Sequence, residues 1–216
     1  MRVSPPTRGP TLSPDAIIRG MATLVTLGTA APPLDTAALD AKEAKLFDIL
    51  RSLGEVIVAY SGGTDSAYLA WAAARTLGDK AVAITADSAS IPESHKRDAA
   101  EYAQLCGFRH EIIETREFDN PDYVKNDANR CFHCKDELFT RLEEVAAERG
   151  LTHIVYGVNQ DDLGDYRPGQ QAAKIHQVKA PLVEAGLRKA EIRELARRAG
   201  LPFWDRPAAA CLSMVS

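Results

Sequence analysis

The stretch AYSGGTDSAYL, residues 59–69, follows an apolar run and precedes a pattern of helical periodicity. The run EVIVAY, residues 55–60, predicts a buried strand, and SAYLAWAAARTLG, residues 66–78, predicts a helix. Between them, two glycines let a bound group approach the backbone, and free N–H groups lie at the positive end of the helix dipole. The turn is therefore typical of an anion-binding site.

Every residue of this turn is a candidate for binding a phosphorylated ligand. The candidates are Ser61, Gly62, Gly63, Thr64, Asp65 and Ser66. The hydroxyl groups add donors, whereas the carboxylate of Asp65 either caps the helix or holds a Mg²⁺ ion that bridges to phosphate. A plain strand-to-helix turn with a polar cap is the alternative interpretation. A Walker P-loop is excluded, because the GxxxxGK[ST] spacing and its lysine are missing.

Strand and helix patterns alternate around the turn. They predict helices at residues 36–53, 66–78, 93–106, 133–149 and 187–200, strands at 55–60, 80–87, 108–115 and 152–159, and a polar loop at 161–173. This alternation predicts an α/β fold, with a Rossmann-like, mainly parallel sheet flanked by helices on both faces. The loops that follow the strands then open at one edge of the sheet, where parallel sheets place function.

Composition restricts the class of partner. A chain of 216 residues that is 45% hydrophobic can bury the core of one α/β domain. Its net charge of −4 supplies no basic field for nucleic acid, and no run approaches the roughly 18 apolar residues of a membrane span. We therefore expect a small-molecule partner, with neither nucleic acid nor membrane. Residues 21–31 only faintly resemble a secretory signal, and we expect a cytoplasmic location.

Further candidates follow the second and fourth predicted strands. Asp87 ends the second strand, at the edge that commonly meets the adenosine half of a nucleotide. Asp161, Asp162 and Asp165 follow the fourth strand, where carboxylates can hold Mg²⁺ or order basic residues. A solvated loop is the alternative for this acidic run. Arg167 is placed to meet a phosphate or carboxylate of the substrate.

The four cysteines are Cys106, Cys131, Cys134 and Cys211. They are too few and too unevenly spaced for a disulfide scaffold, which favours reduced thiols that do chemistry or bind metal. Cys131 and Cys134 form a C-x-x-C pair, which is equally consistent with a zinc half-site, a redox pair or two cysteines at the start of a helix. Cys106, at a predicted helix end, is expected to be an inert core thiol.

The SGGxDS pattern after a buried strand resembles the PP-loop of the ATP pyrophosphatases, which split ATP into AMP and pyrophosphate while they adenylate a substrate. Motifs farther along narrow the resemblance to the LarE family, ATP-dependent sulfur transferases that help to build the nickel-pincer nucleotide cofactor of lactate racemase. These motifs are ITADSASIP at 84–92, DNPDY at 119–123, NRCFHCKDELF at 129–139, YGVNQDDLGDYRPG at 156–169, and the segment 180–213 that ends in PAAACLS. The resemblance runs from about residue 38 to residue 213.

The resemblance implies adenylation followed by sulfur delivery. ATP with Mg²⁺ would activate a carboxylate of pyridinium-3,5-biscarboxylic acid mononucleotide, and sulfur would displace AMP to leave a thiocarboxylate. Cys211 occupies the position of the family's sulfur-donating cysteine. In some members that cysteine gives up its own sulfur, and in others three cysteines hold a [4Fe-4S] cluster whose open iron carries sulfide. Because Cys131, Cys134 and Cys211 can supply three thiolates, the cluster version is favoured over the sacrificial version and over zinc.

The resemblance also implies an organisation and partners. Residues 1–35 are expected to be a disordered extension, 36–180 the PP-loop domain, and 181–216 the start of a C-terminal sulfur-transfer and substrate region that is incomplete relative to the family. Implied partners are other proteins of nickel-pincer cofactor biosynthesis and further copies of the chain in a homo-oligomer. Two other functions remain open. One is a PP-loop thiolase acting on tRNA, which should carry a basic groove, and the other is a binding module without turnover.

Overall fold

Parallel strands form the centre of the molecule, as a computed structural model describes it for residues 34–88, 91–119, 121–124, 129–164 and 168–207. In this part of the chain the strands are β1 (Val56–Ala59), β2 (Ala81–Asp87), β3 (His110–Glu114) and β4 (Ile154–Tyr156). They lie in the order β3-β2-β1-β4, and each neighbouring pair is parallel. The predicted fold class is confirmed.

The helices of the described ranges cover both faces of this sheet. They are α1 (Thr36–Leu53), α2 (Thr64–Leu77), α3 (Glu93–Cys106), α4 (Pro121–Val124), α5 (Arg130–Arg149), α6 (Pro168–Ile175), α7 (Pro181–Glu184) and α8 (Lys189–Arg198). Short 3-10 turns occur at Gly78–Lys80, Glu117–Asp119 and Gln160–Gly164. None of the described helices combines the length and the apolar character that a membrane span needs.

The central strand β1 is buried on both faces, as expected for a strand covered by helices on either side. Val56 and Val58 pack into a core with α1, α2, α3 and α8, whereas Ile57 and Ala59 pack into a second core with α5 and α6. The alternation along one strand follows from the two-residue period of β-structure. The sheet therefore carries two hydrophobic cores.

Several boundaries differ from the sequence prediction, and three of the differences concern segments with predicted functional residues. Helix α2 begins at Thr64 and α5 at Arg130, so the SGGTDS turn and the C-x-x-C pair each extend into the first turn of a helix. Residues 168–173, predicted as part of a loop, belong to helix α6, which continues to Ile175. Pro168 stands at its first position, which suits a helix start, and Gln and Ala are good helix formers. His176, directly after α6, lies 3.0 Å from both Asp136 and Glu143 and so ties this helix to α5.

Strand order creates a topological switch point beside β1. The chain leaves β1 towards β2 on one side and later returns to β4 on the other side. The crevice beyond the carboxyl ends of β1 and β4 is where open α/β sheets bind ligands. We refer to it as the β1/β4 crevice.

The region after residue 180 packs on the first of the two cores. Leu182, Leu187, Ile192, Leu195 and Phe203 are all buried in the cluster that contains α1 and α2. The domain boundary predicted at residue 180 stays a prediction. The predicted site residues Asp165, Arg167 and Cys211 lie outside the described residues.

Candidate active site at the carboxyl edge of the sheet

The glycine turn enters the crevice between β1 and α2 in a conformation that requires glycine at one position. Gly62 has φ +74°, a region that L side chains rarely adopt. A Cβ atom there would lie 3.0 Å from the Cβ of Ala99 on α3. Gly63 precedes α2 as its N-cap residue and offers no capping side chain. The turn therefore exposes backbone where helix N-terminal donors lie, as the anion-site prediction requires.

The hydroxyl groups of the turn are already hydrogen-bonded to one another and to the backbone. Ser66 Oγ donates to the Gly63 carbonyl at 3.0 Å and accepts the Ser61 N–H at 3.2 Å, and Ser61 Oγ lies 3.1 Å from it. Thr64 Oγ1 donates to the carbonyl of Phe203 at 3.1 Å. Ser66 and Thr64 thus shape the turn. Ser61 is the hydroxyl of the three that can most easily turn towards a ligand.

Asp65 is the chemically distinctive member of the turn. Its side chain is only 15% exposed, and its buried Oδ1 atom has no hydrogen-bond partner among the residues that the structure describes. Oδ2 accepts a hydrogen bond from Asn159 Nδ2 at 3.2 Å and lies 3.6 Å from Lys189 Nζ. Burial raises the pKa of Asp65, Lys189 opposes that shift, and the neighbouring Asp162 adds to it. A buried carboxylate with one orphan oxygen is incomplete without a proton or a cation.

The loop after β4 closes tightly over the start of α2. A Cβ atom on Gly157 would lie 2.6 Å from the Ser66 nitrogen and 2.7 Å from its Cα, so only glycine permits this approach. Two residues later Asn159 is almost fully buried and meets Asp65. Asn159 is held by Asp161, whose N–H donates to Asn159 Oδ1 at 2.8 Å, and by Asp162 Oδ2, which accepts the Asn159 N–H at 3.1 Å. The amide that faces Asp65 is therefore fixed in orientation.

The predicted acidic run after β4 divides into different roles. Asp161 Oδ2 accepts the backbone N–H of Lys189 at 2.9 Å, and Oδ1 lies 3.3 Å from Arg188 Nη1. Asp161 is thus bound to the start of α8, and this contact places Lys189 beside Asp65. Asp162 lies close enough to Asp65 to raise its pKa.

Asp87 lies at the same edge of the sheet, at the end of β2, and is 46% exposed. Lys96 on α3 pairs with Asp87 and also with Glu93, at 2.6 Å from the latter. Both carboxylates raise the pKa of Lys96, which keeps the ammonium charged. Asp87 therefore has a built-in counter-ion.

The C-terminal segment of the described chain is anchored directly to the glycine turn. Besides the Thr64 bond to Phe203, Arg206 pairs with Asp98 of α3 at 2.7 Å and stacks on the ring of Tyr102, while Arg193 of α8 donates to the Arg206 carbonyl at 2.7 Å. These contacts fix residues 201–207 beside the start of α2.

Cys131 and Cys134 occupy the first turns of α5, three residues apart and so on one helix face. Both are half-buried. The Cβ position of Gly169 on α6 lies 3.4 Å from Cys131 Sγ, so a small residue there leaves room beside the thiol. Among the residues that the structure describes, no three His, Cys, Asp or Glu side chains gather as a metal site. The third predicted thiolate, Cys211, lies outside these residues.

Three residues of the site were not identified from the sequence. Gly157, Asn159 and Lys189 all reach the turn from segments far along the chain. The YGVN motif contained a usable signal for the first two, since a glycine and an asparagine directly after a parallel strand lie at the functional edge. Lys189 gave no such signal, because its helix reads as an ordinary amphipathic one.

Comparison with solved structures shows that the chain shares the fold of NAD and NMN synthetases. NH3-dependent NAD synthetase from Campylobacter jejuni superposes with a TM-score of 0.63 at 18% identity, covering 80% of this chain and 78% of that one. NMN synthetase from Francisella tularensis gives 0.63 at 20% identity, covering 81% and 76%. No family model matches the chain.

Among curated relatives, pyridinium-3,5-bisthiocarboxylic acid mononucleotide synthase from Lactiplantibacillus plantarum is 31% identical over 179 residues, 82% of this chain and 64% of that protein. The chain is a homologue of this synthase, and the resemblance to the LarE family is confirmed. An uncharacterized protein from Synechocystis is 45% identical over 174 residues, 79% of this chain and 65% of that protein. The chain thus spans a little under two thirds of the length of both relatives.

Proposed function

We propose that the chain binds ATP in the β1/β4 crevice and acts as an ATP-dependent sulfur transferase on pyridinium-3,5-biscarboxylic acid mononucleotide. The observation that carries the proposal is Asp65, a buried carboxylate with an orphan oxygen at the N-terminus of a helix, flanked by a glycine turn and by Lys189. Helix N-terminal donors and a lysine suit phosphate, and the carboxylate suits its metal. The synthase at 31% identity supplies the substrate class.

The residues at the crevice fit a Mg²⁺ ion. Oxygen ligands are what Mg²⁺ prefers, and Asp65 Oδ1 is an oxygen to which no group in the described part of the chain donates a hydrogen bond. Asp162, on the loop after β4, adds further negative charge close to Asp65. When bound, the ion would neutralise phosphate charge and raise the electrophilicity of phosphorus.

A carboxylate does not react with a sulfur nucleophile until one of its oxygens becomes part of a good leaving group. A carboxylate of the substrate attacks the α-phosphorus of ATP, the bond to the bridging oxygen breaks, and pyrophosphate leaves. The resulting acyl adenylate has a good leaving group, so a sulfur nucleophile can attack its carbonyl carbon and expel AMP. In this scheme the glycine turn and Lys189 hold the departing phosphates, while burial of the crevice limits hydrolysis of the adenylate.

We assign sulfur delivery to Cys211. Phe203 is bonded to Thr64 beside the turn, and Cys211 lies eight residues later (211 − 203 = 8). Eight residues span at most about 28 Å, so the thiol can reach the crevice from this anchor. Cys131 and Cys134 present two thiols from one helix face, and the donor set Cys131, Cys134 and Cys211 fits a [4Fe-4S] cluster with one open iron. Such a cluster would supply a sulfide-binding position.

The proposal includes the cellular setting. A cytoplasmic location matches the use of ATP, and the other proteins of nickel-pincer cofactor biosynthesis are the proposed partners, along with further copies of this chain.

The test is an anaerobic assay of the chain with ATP, Mg²⁺ and pyridinium-3,5-biscarboxylic acid mononucleotide, with and without reconstitution of iron and sulfide. AMP, pyrophosphate and the thiocarboxylate are quantified by chromatography and mass spectrometry. Formation of all three supports the proposal. ATP binding without AMP would instead indicate a module without turnover, and AMP formation that requires tRNA would indicate the rival thiolase.

Cysteine variants then locate the sulfur source. Cys211→Ala should still form AMP and pyrophosphate but no thiocarboxylate, because adenylation does not need the thiol. Cys131→Ala should lose thiocarboxylate only if a cluster takes part. Cys106→Ala, on α3, is the matched control and should retain full sulfur transfer. Thiocarboxylate from Cys211→Ala would remove that residue from the proposed role.

A further inference from the structure

Two carboxylates hold the N-terminus of α8 in place. Glu191, within the helix, accepts the backbone N–H of Arg188 at 2.8 Å, and Lys42 of α1 holds Glu191 at 2.6 Å. Asp161, from the loop after β4, accepts the N–H of Lys189 at 2.9 Å. The first N–H groups of a helix lack intrahelical partners, so these carboxylates complete the helix and favour its positive end.

The contact from Asp161 has a consequence at the crevice. It joins the loop that carries Asn159 to the backbone of Lys189, and both residues meet Oδ2 of Asp65 from these two segments. Both oxygens of Asp161 are occupied, Oδ2 by the backbone and Oδ1 by Arg188. This arrangement suits a residue that positions its neighbour better than one that binds a cation.

We propose that Asp161 is a positioning residue: by holding the backbone of Lys189 it sets the ammonium group over Asp65, and so sets the affinity of the crevice for the phosphates of MgATP. This inference rests on the proposed function and refines it, because it separates two aspartates of the same acidic run. The sequence had placed Asp161 among residues that bind the cofactor. Here it acts through Lys189.

The variants Asp161→Ala and Asp161→Asn distinguish the two roles. Asparagine keeps an oxygen that can accept the Lys189 N–H, whereas alanine does not. We expect Asp161→Ala to raise the Kd for MgATP about fivefold, because Lys189 is no longer held beside the phosphates, and Asp161→Asn to stay within about twofold of the original chain. Asp79→Ala is the matched control, since Asp79 is exposed at the opposite end of the strands, before β2, and should change nothing.

A double-mutant cycle with Lys189→Met tests whether Asp161 acts through the lysine. If it does, Asp161→Ala adds no further loss in the Lys189→Met background. The proposal is overturned if Asp161→Asn binds MgATP as weakly as Asp161→Ala and the loss persists without the lysine. Those results would make Asp161 a metal ligand. A Kd unchanged in Asp161→Ala would overturn it as well.

Two measurements without nucleotide keep this inference separate from the proposed function. Hydrogen exchange at the Lys189 amide should accelerate in Asp161→Ala and stay slow in Asp161→Asn. Carbon-13 NMR of labelled aspartate should show the Asp65 pKa rising in Asp161→Ala, as in Lys189→Met, because the nearby cation is no longer held in place. Slow exchange with an unmoved Asp65 pKa in Asp161→Ala refutes the positioning role. Failure of the intact chain to bind MgATP refutes the proposed function instead.

Discussion

Two aspartates at the same edge of the sheet, Asp65 and Asp87, have opposite environments. Asp87 at the end of β2 is 46% exposed and has Lys96 as a dedicated partner, whereas Asp65 beside β1 is 15% exposed and has one oxygen that pairs with none of the described residues. The pKa of Asp65 is raised by burial, with Lys189 only partly offsetting the effect. An incompletely satisfied buried charge costs stability, and the proposed Mg²⁺ ion would complete it.

The contrast extends to the chain segments that surround the two side chains. Around Asp65, three chain segments meet at close quarters: the glycine turn, the loop after β4 and the start of α8. Around Asp87, α3 supplies a lysine, and the side chain is 46% exposed. The strand order explains the difference, because β1 lies at the switch point and β2 does not. Chemistry is expected at the first aspartate and accessory contact at the second.

The largest expected effect separates the two aspartates in catalysis. Asp65→Asn should reduce AMP formation from ATP by about 100-fold or more, because the neutral amide loses the charge that would bind the metal. Asp87→Asn should cost about fivefold at most, the value of one hydrogen bond to the nucleotide. Initial rates of AMP release at saturating Mg²⁺ provide the measurement.

Equal losses in both variants would remove the distinction between the crevices. Undiminished AMP formation in Asp65→Asn would exclude Asp65 from the mechanism altogether. Circular dichroism of each variant serves as the control for folding.

The sequence was sufficient for the fold and for the centre of the site, because both rest on local signals. A buried strand, a glycine turn and a helix follow one another within residues 56–77, and each can be recognised from its own residues. The residues that contact the turn from distant segments could not be predicted from local signals. Asn159 and Asp65 are 94 residues apart, and only the parallel pairing of β1 with β4 brings them together. Likewise, nothing in the acidic run itself indicates that Asp161 is bound to the start of α8.

The second expected effect tests how closely the loop after β4 packs against the start of α2 in the β1/β4 crevice. Gly157→Ala places a methyl group within 2.7 Å of the Ser66 backbone, which cannot move without displacing α2. We expect a loss of about 2 kcal/mol in the free energy of unfolding, together with weaker ATP binding. Gly164→Ala, in the 3-10 turn of the same loop, meets no atom of the described residues within 4 Å and should change the free energy of unfolding by less than about 0.5 kcal/mol.

Urea denaturation gives both free energies under one set of conditions. If Gly157→Ala proves as stable as Gly164→Ala, the loop after β4 does not press on α2 as described. The contrast between the surroundings of Asp65 and those of Asp87 would then depend on the burial of the Asp65 side chain alone.

The smallest expected effect is on the free energy of unfolding, which should rise in Asp65→Asn and fall in Asp87→Asn. Because burial raises the folded-state pKa of Asp65, its charged form opposes folding, and Asp65→Asn should stabilise the nucleotide-free protein by about 1 kcal/mol at pH 8. The original chain takes up a proton more readily when folded than when unfolded, so the advantage of Asp65→Asn should shrink as the pH falls through the folded pKa. Asp87→Asn should instead destabilise by less than about 1 kcal/mol, because Lys96 loses a partner at a half-exposed site. Denaturation curves of the three proteins from pH 8 to pH 5 measure these differences. A loss of stability in Asp65→Asn at pH 8 would mean that Asn159 and Lys189 already satisfy the carboxylate without any metal.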